Sequence, residues 1–408
     1  MRAVAVLGIC FAVGCSSSGS RTNAMDDVGF IVKPVEDTYV ANDVTDNPVA
    51  TLDIQQPVDV GSTDTRASND TGVLQPREPI AEAPPYDFVA AAPWYACAGG
   101  AFPAEAVVVD GFVQEYQYFG NENRREVDIE VDFPAPGSWS QVGLLFRLEC
   151  PESGLCDHWD RTGSVSLVLE ESEEGNQEQV EIARHITPYK IEMCQYIDIT
   201  GMAPLLTGKR TLRSWIDTWV GPGHAQGEGW RVTTQFVFYP GKPKAPDEVV
   251  NIWGRRQITV GEIEPDANVD SQIDPKNFMI PADATRVVAH LTTTGHSFGN
   301  HLNCAEFCQM NQELYINGVK YTVNPWRDDC PQNPVSPQYG TWEFPRNGWC
   351  PGAIATGTNL EVTDAIKAGE NNVIDFDIRL ANGTEYDNIS PVDLLPSEYV
   401  SLKLYVWR

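Results

Sequence analysis

Residues 125–133 read REVDIEVDF, a stretch in which charged and apolar residues alternate one by one. Alternation with a period of two is typical of a β-strand that buries one face. Similar runs, rich in valine, isoleucine, phenylalanine and tyrosine and separated by turn-forming residues, recur throughout the chain after Trp94. They are residues 106–119, 142–150, 163–171, 180–186, 211–219, 230–239, 286–296, 312–321, 372–382 and 400–408. No run reads as a long amphipathic helix, so we predict an all-β protein.

A proline-containing break, PGKPKAPDE at residues 240–248, divides these runs into two sets. Each set extends over about 150 residues and holds seven or eight short strands, the size of one domain. Antiparallel sandwiches of the jelly-roll kind accommodate that number of strands. We therefore predict two side-by-side eight-stranded jelly-roll sandwiches, formed by residues 95–245 and 246–408.

The chain has 408 residues with 42% hydrophobic content, enough for about two domains with cores of their own. Its formal net charge is −29. Proteins that bind nucleic acid draw affinity from lysine and arginine contacts to phosphate, so the charge argues against a nucleic-acid partner. The sequence is silent on assembly, and we expect a monomer.

The first 15 residues, MRAVAVLGICFAVGC, carry one arginine and a short apolar run that ends in small residues before Cys15. They resemble a bacterial lipoprotein signal peptide with a lipid attached at Cys15. Ordinary secretion with cleavage elsewhere is the alternative. In both cases we expect export, and with the lipid we expect a cell-envelope lipoprotein, at the surface or in the periplasm, whose only membrane contact is that anchor.

Residues 16–94 hold 13 acids against four bases and show no sustained periodicity. Such a segment cannot bury enough apolar surface to offset the entropy of ordering, so we predict a disordered acidic linker.

Ten cysteines are present, and eight remain when Cys10 and Cys15 are set aside. In an exported protein an even number indicates disulfides, and paired zinc ligands are the competing interpretation. Bonds between Cys150 and Cys156 and between Cys304 and Cys308 would close rings of about seven and five residues. Acids follow the first ring and lie inside the second, so both rings predict preorganised carboxylates.

Five segments resemble, in order and at similar separations, segments of the peptide-N-glycosidase F family. They are ECPESGLCDHWDR (149–161), ARHITPY (183–189), LLTGKRTLRSWIDTW (205–219), CAEFC (304–308) and RNGWCPG (346–352). The resemblance covers about residues 105–408. It implies two adjacent jelly rolls with an active site between them. By the same resemblance Cys150 pairs with Cys156, Cys304 with Cys308 and Cys330 with Cys350, which leaves Cys97 and Cys194 for each other.

The resemblance also implies an activity, namely hydrolysis of the amide between the innermost N-acetylglucosamine of an N-glycan and asparagine. The substrates would be N-glycosylated proteins or peptides. Carried over by motif, the principal catalytic acid is Asp160, the second is Glu306, and the third position holds Asp217 in place of the family glutamate. Phe307 replaces the tryptophan that usually follows the second acid. The residues expected to contact substrate are Arg161, Trp219, Arg346, Trp159 and Trp349.

Three carboxyl groups without a metal suit this chemistry, because a carboxyl can activate water or protonate a leaving nitrogen according to its charge. Crowding and burial can raise one pKa toward 6–7 and leave another low. We therefore predict no metal and no cofactor. One alternative is a non-catalytic glycan-binding lipoprotein of the same fold, favoured by the substitution at Asp217. Another is a metal-dependent oxidase that uses His290, His296 and His301.

Overall fold

The part of the chain that the computed structural model describes is Cys97 and residues 101–171, 177–261, 268–386 and 394–408. The predicted signal peptide (1–15), with lipidation at Cys15, and the predicted linker (16–94) lie outside these residues. No helix within them is long and apolar enough to cross a membrane.

In its first half the described chain forms nine β-strands and one 3₁₀ helix, Thr200–Leu205. The strands are β1 (Val107–Asp110), β2 (Glu115–Gln117), β3 (Glu126–Phe133), β4 (Trp139–Glu149), β5 (Thr162–Glu171), β6 (Gln177–Ile186), β7 (Met193–Asp198), β8 (Gly208–Ile216) and β9 (Trp230–Pro240).

The second half adds eleven strands within the described residues, together with one turn of α-helix, α1 (Val269–Gln272). The strands are β10 (Glu248–Thr259), β11 (Lys276–Met279), β12 (Arg286–His296), β13 (Met310–Ile316), β14 (Val319–Val323), β15 (Trp326–Arg327), β16 (Arg346–Asn347), β17 (Ala353–Ala355), β18 (Thr358–Glu361), β19 (Asn371–Leu380) and β20 (Ser397–Trp407). Three short 3₁₀ helices are His301–Asn303, Cys330–Gln332 and Thr363–Ala365.

All strand pairs described are antiparallel, and they build two sandwiches. In the first sandwich one sheet has the order β1-β9-β4-β7, with β2 also on β9, and the other has the order β17-β6-β5-β8-β3. In the second, the sheet β10-β20-β12-β18 faces the sheet β11-β19-β13-β14, and β15 pairs with β16 in a separate ribbon. One apolar core lies in the first sandwich and extends to Val288 of β12 and Tyr405 of β20, and a second core lies in the second sandwich.

The alternation in residues 125–133 works as predicted, because Val131 and Phe133 are buried in the first core while the intervening acids of β3 are exposed. The predicted all-β class with two jelly-roll sandwiches is confirmed. The first sandwich has ten strands instead of eight, because β2 is a short addition and β17 comes from the second half of the chain. The domain limits, 95–245 and 246–408, stay a prediction.

A buried polar contact joins the two sandwiches. Arg184 on β6 donates hydrogen bonds from Nη1 to the carbonyl oxygen of Tyr399 (2.6 Å) and to Thr294 Oγ1 (3.2 Å), both in the second sandwich. Its Nη2 pairs with Glu181 Oε2 at 2.6 Å, and Lys403 Nζ donates to the carbonyl oxygen of Glu181 at 2.8 Å. The guanidinium is fully buried, so the two sandwiches meet through a satisfied charge network.

The disulfide interpretation of the cysteines is confirmed for eight residues. The four bonds are Cys97–Cys194, Cys150–Cys156, Cys304–Cys308 and Cys330–Cys350. All four are the predicted pairs, and such bonds are typical of exported proteins.

Candidate active site

Asp160 lies in the turn between the Cys150–Cys156 ring and β5, and a second acid shapes that turn. Asp157 is fully buried, and its carboxylate accepts hydrogen bonds from the backbone N–H of Trp159 (3.1 Å) and the hydroxyl of Thr218 (2.7 Å). Arg161 Nε donates to the same carboxylate at 3.1 Å. Asp157 is therefore the structural carboxylate of this acid-rich segment. Asp160 does not share these hydrogen bonds, and its side chain points away from the turn.

The side chain of Asp160 is held from both sandwiches. Tyr189, which follows β6 of the first sandwich, donates its hydroxyl proton to Asp160 Oδ2 at 2.5 Å. Arg346, on the β15–β16 ribbon of the second half, places Nη2 3.6 Å from the same oxygen. Thr341 Oγ1 lies 3.1 Å from the Tyr189 hydroxyl. Asp160 keeps 16% of its side chain exposed, so a substrate atom can reach it.

Glu306 is placed by its own disulfide ring and by β16. Asn347 donates its backbone N–H to the carbonyl oxygen of Glu306 at 3.0 Å, next to the Cys304–Cys308 bond. The Glu306 carboxylate accepts a hydrogen bond from Arg346 Nε at 3.1 Å and is 12% exposed. One guanidinium thus contacts both acids.

Arg346 has no exposed surface, and its position is fixed on every side. Nη1 donates to the carbonyl oxygens of Thr341 (2.9 Å) and Phe344 (3.0 Å). The rings of Trp349 and Phe307 lie 4.7 Å and 5.1 Å from its Cζ. Phe307 therefore offers an aromatic face to this cation.

Burial sets the electrostatics of the two acids. Loss of solvent, together with the charge of Asp160, raises the pKa of Glu306 to about 8, and Arg346 opposes that rise. Burial also raises the pKa of Asp160, while Arg346 and the Tyr189 hydroxyl favour its ionised form. Two carboxyl groups next to one cation do not ionise together easily. The arrangement therefore favours a state in which Glu306 is protonated and Asp160 is ionised.

The third predicted acid, Asp217, belongs to a neighbouring group of side chains. Arg125 Nη1 lies 3.4 Å from Asp217 Oδ1, and its Cζ lies 4.3 Å from the Trp219 ring centroid. Phe119 meets Trp219 edge to face at 5.2 Å. The backbone N–H of Asp217 donates to the carbonyl oxygen of Thr162 at 2.9 Å, two residues beyond Asp160 in the chain. Asp217 contacts neither Arg346 nor the other two acids through any described hydrogen bond or ion pair.

The three predicted tryptophans differ in exposure. Trp159 is 39% exposed and Trp219 is 37% exposed, so each has surface on which a sugar ring could pack. Trp349 is only 1% exposed, and its Nε1 donates to the carbonyl oxygen of Gly295 at 2.6 Å. The expectation that Trp349 contacts substrate is corrected on that ground, since its ring packs behind Arg346 and has no open face. The same correction applies to Arg346, which has no exposed surface and contacts the two acids instead.

The histidines of the oxidase alternative lie in different surroundings. His290 contacts Asn359 Oδ1 through Nδ1 at 2.7 Å, whereas His296 stacks on Trp349 at 5.1 Å and is buried with its pKa lowered to about 3. His301 lies near Tyr386, with the ring centroids 6.3 Å apart. Over the described ranges no group of three histidine, cysteine, aspartate or glutamate residues is placed to hold a metal ion.

Sequence reasoning did not assign a role to Tyr189 or Thr341. Tyr189 ends the quoted segment ARHITPY, so the family motif already contained the signal for it. Thr341 lies outside every quoted motif, five residues before Arg346, and its Oγ1 accepts a hydrogen bond from Arg346 Nη2 at 3.0 Å.

Fold and acid cluster together define a class: a two-sandwich jelly-roll protein with a paired-carboxylate site between the sandwiches. Comparison with known proteins is more specific. Residues 265–392 match the family model described as "Peptide-N-glycosidase F, C terminal". Peptide-N(4)-(N-acetyl-beta-D-glucosaminyl)asparagine amidase F of Elizabethkingia miricola is 26% identical over 304 residues, which cover 70% of this chain and 82% of that protein.

Solved structures agree on the fold. A structure of recombinant peptide:N-glycanase F matches with a TM-score of 0.58 and 20% identity, covering 74% of this chain and 96% of that one. A structure of PNGF-II matches with a TM-score of 0.56 and 17% identity, covering 74% and 65%. The predicted resemblance to the peptide-N-glycosidase F family is confirmed as a similarity in sequence and in fold.

Proposed function

We propose that the protein hydrolyses the amide that links the innermost N-acetylglucosamine of an N-glycan to asparagine, with carboxyl groups as acid and base. The single observation that carries the proposal is the bridge Asp160–Arg346–Glu306 across the two sandwiches. A paired acid and base on one buried cation is what metal-independent amide hydrolysis needs.

Asp160 serves as the general base in this mechanism. Its carboxylate accepts a proton from a water molecule while the oxygen of that water forms a bond to the amide carbon. The Tyr189 hydroxyl and Arg346 favour the ionised carboxylate that this step needs.

Glu306 serves as the general acid. The pKa of about 8 keeps its proton in place at neutral pH, and that proton passes to the amide nitrogen. The carbon–nitrogen bond then breaks, so the sugar leaves as a glycosylamine and the peptide retains an aspartate. Arg346 contacts both acids and keeps them next to each other during both proton transfers.

The sugar is bound by the groups next to the acids. Trp219 and Trp159 offer apolar faces to the pyranose rings, and Arg161 and Asp217 offer polar groups to the sugar oxygens. Asp217 is oriented by Arg125 and therefore acts in binding and orientation. The substrates are N-glycosylated proteins or peptides.

The cellular setting belongs to the same proposal. The protein is an exported monomer with a lipid on Cys15 as its only membrane contact, and it uses neither nucleic acid nor cofactor. The acidic net charge of −29 and the disulfides support this setting.

A glycopeptide treated in H₂¹⁸O tests the activity. We expect the intact glycan to be released, and the former asparagine to become an aspartate that carries one ¹⁸O atom. An endoglycosidase would instead leave one N-acetylglucosamine on asparagine. High-mannose and complex substrates are run side by side, and EDTA should leave the rate unchanged. Absence of turnover on every N-glycopeptide would contradict the proposal.

The glycan-binding alternative has one observation in its favour, which is that the Asp217 carboxylate faces Arg125. It predicts that the wild-type protein retains N-glycans on a column without hydrolysing them. Turnover restored by Asp217→Glu would then establish that alternative for the natural protein.

A further inference from the structure

A buried carboxyl group lies behind the candidate active site, on β20. Glu398 has no exposed surface, and its Oε1 accepts hydrogen bonds from Asn347 Nδ2 at 2.6 Å and Gln312 Nε2 at 3.4 Å. The mechanism above makes no use of this group. Its two amide partners come from different elements, Asn347 from β16 and Gln312 from β13.

Asn347 connects Glu398 to both acids of the site. It follows Arg346 directly on β16, and its backbone N–H holds the carbonyl oxygen of Glu306 at 3.0 Å. Gly295 closes the cluster from β12, where a Cβ atom would lie 2.8 Å from Asn347 Nδ2 and 2.5 Å from the carbonyl oxygen of Ala305. A shift of the Asn347 side chain therefore has no free space to enter on that side.

The oxygens of the cluster need a donor. Glu398 Oε2, Gln312 Oε1 and Asn347 Oδ1 are buried, and within the described residues none of them has a hydrogen-bond partner. A protonated Glu398 supplies such a donor and avoids a buried anion. Burial raises the pKa of Glu398 to about 8, against the charge of Arg184, which agrees with a neutral carboxyl group.

We propose that Glu398 is a positioning residue of this site: through Asn347 it holds Arg346 and Glu306 in the arrangement that catalysis requires. This inference rests on the proposed function where it is tested by kcat. Where it is tested by the positions of Arg346 and Glu306 in a crystal structure, it rests on geometry alone.

Three single variants and one double variant test the kinetic side. Glu398→Gln keeps the shape, an acceptor for Asn347 and a donor, so kcat should stay within about threefold of wild type. Glu398→Leu removes the anchor, and a displacement of the acids by a fraction of an ångström should lower kcat by at least about tenfold. KM should change little, because no sugar-binding side chain is touched. Asn347→Leu should reproduce the loss, and the double variant should lose no more than either single one.

Gln312→Leu is the matched control. It deletes the other amide partner of Glu398 but leaves Asn347, and therefore β16, in place. We expect a lower melting temperature without a change in kcat. An equal loss of kcat in Gln312→Leu and Asn347→Leu, or a wild-type kcat in Glu398→Leu, would overturn the proposal.

A readout without turnover separates this inference from the proposed function. In a crystal structure of folded Glu398→Leu we expect Arg346 and the Glu306 carboxylate to shift relative to Asp160. In Glu398→Gln they should keep their places. Unchanged positions in Glu398→Leu would refute the positioning role even if the protein hydrolysed no glycopeptide. If Glu398→Leu does not fold, the same comparison is made with Asn347→Leu.

Discussion

Two aspartates three positions apart, Asp157 and Asp160, differ in role because their surroundings differ. Asp157 is saturated by hydrogen bonds from its own turn and from Thr218, whereas Asp160 keeps exposed surface next to Arg346. The family motif predicts Asp160 as the catalytic acid. Local sequence does not distinguish a carboxylate saturated by hydrogen bonds from one that keeps exposed surface, because that difference depends on which hydrogen bonds each group makes.

Asp160→Asn should abolish hydrolysis and keep the fold. The amide has nearly the size of the carboxylate but cannot accept the proton of water, so we expect kcat to fall by at least about a hundredfold. Glycan affinity should remain close to that of wild type. The matched control is Asp157→Asn, which should lower the melting temperature because Arg161 and Thr218 lose a charged acceptor. Turnover of Asp160→Asn within about tenfold of wild type would remove Asp160 from the central role.

The alkaline limb of the pH profile should belong to Glu306. Its raised pKa means that the acid form is present below about pH 8 and is lost above it, so kcat should fall as pH rises through about 8. Glu306→Gln should lower kcat and flatten that limb. A limb that stays at the same pH in the glutamine variant would assign it to another group.

Asp217 should matter less than Asp160. Its side chain is one methylene, about 1.5 Å, shorter than the glutamate that the resemblance implies at this position, and 34% of it is exposed beside Arg125. We expect Asp217→Ala to lower kcat/KM less than Asp160→Ala does, and Asp217→Glu to preserve or raise it. Steady-state kinetics on one glycopeptide measures all three. A larger loss in Asp217→Ala would make Asp217 a principal catalytic group.

At the scale of elements, alternation predicted most strands but not how they pair. Residues 106–119 read as one run, yet Gly111 lies where the chain leaves β1, and β2 begins only at Glu115. Residues 312–321 contain a two-residue turn, Asn317-Gly318, with φ of 50° and 82°. That turn divides the run into β13 and β14, because asparagine and glycine tolerate positive φ. β17 has three residues and no periodicity of its own, so local pattern carries no signal for it.

Strand β17 should contribute to stability out of proportion to its length. Ile354 is 3% exposed and packs in the core of the first sandwich, although it follows that sandwich in sequence by more than a hundred residues. Ile354→Ala should lower the free energy of unfolding by about 2–4 kcal/mol. Denaturant titration measures the change, and Val319→Ala, at a residue 48% exposed, should cost much less. Similar losses in both variants would mean that the β17–β6 pairing adds nothing specific.

For the whole molecule, composition predicted two sandwiches but not the contact between them. Arg184 and Glu181 are charged residues in an apolar strand run, and nothing local indicates that they face a second sandwich. The site depends on this contact, because Asp160 and Glu306 come from opposite halves.

Removal of residues 1–93 should leave folding and activity intact. Their composition gives them no core to contribute, and the shortened chain keeps Cys97 for its bond with Cys194. We expect the melting temperature and kcat/KM to match those of the full chain. A shortened chain that aggregates or loses activity would show that this segment is part of the folded protein.

The pairing of β17 with β6 has a consequence for how the protein is made. Ribosomes deliver the chain from its amino end, so every other strand of the first sandwich is synthesised long before residues 353–355. Until then the outer edge of β6 lacks its neighbour and can recruit a strand from another nascent chain. We expect expression of residues 95–245 alone to yield aggregates that residues 246–408, supplied in the same cell, would suppress. The two halves of the chain therefore have to be encoded together. A gene split at the proline-rich break would yield two fragments, each of which requires the other in order to fold.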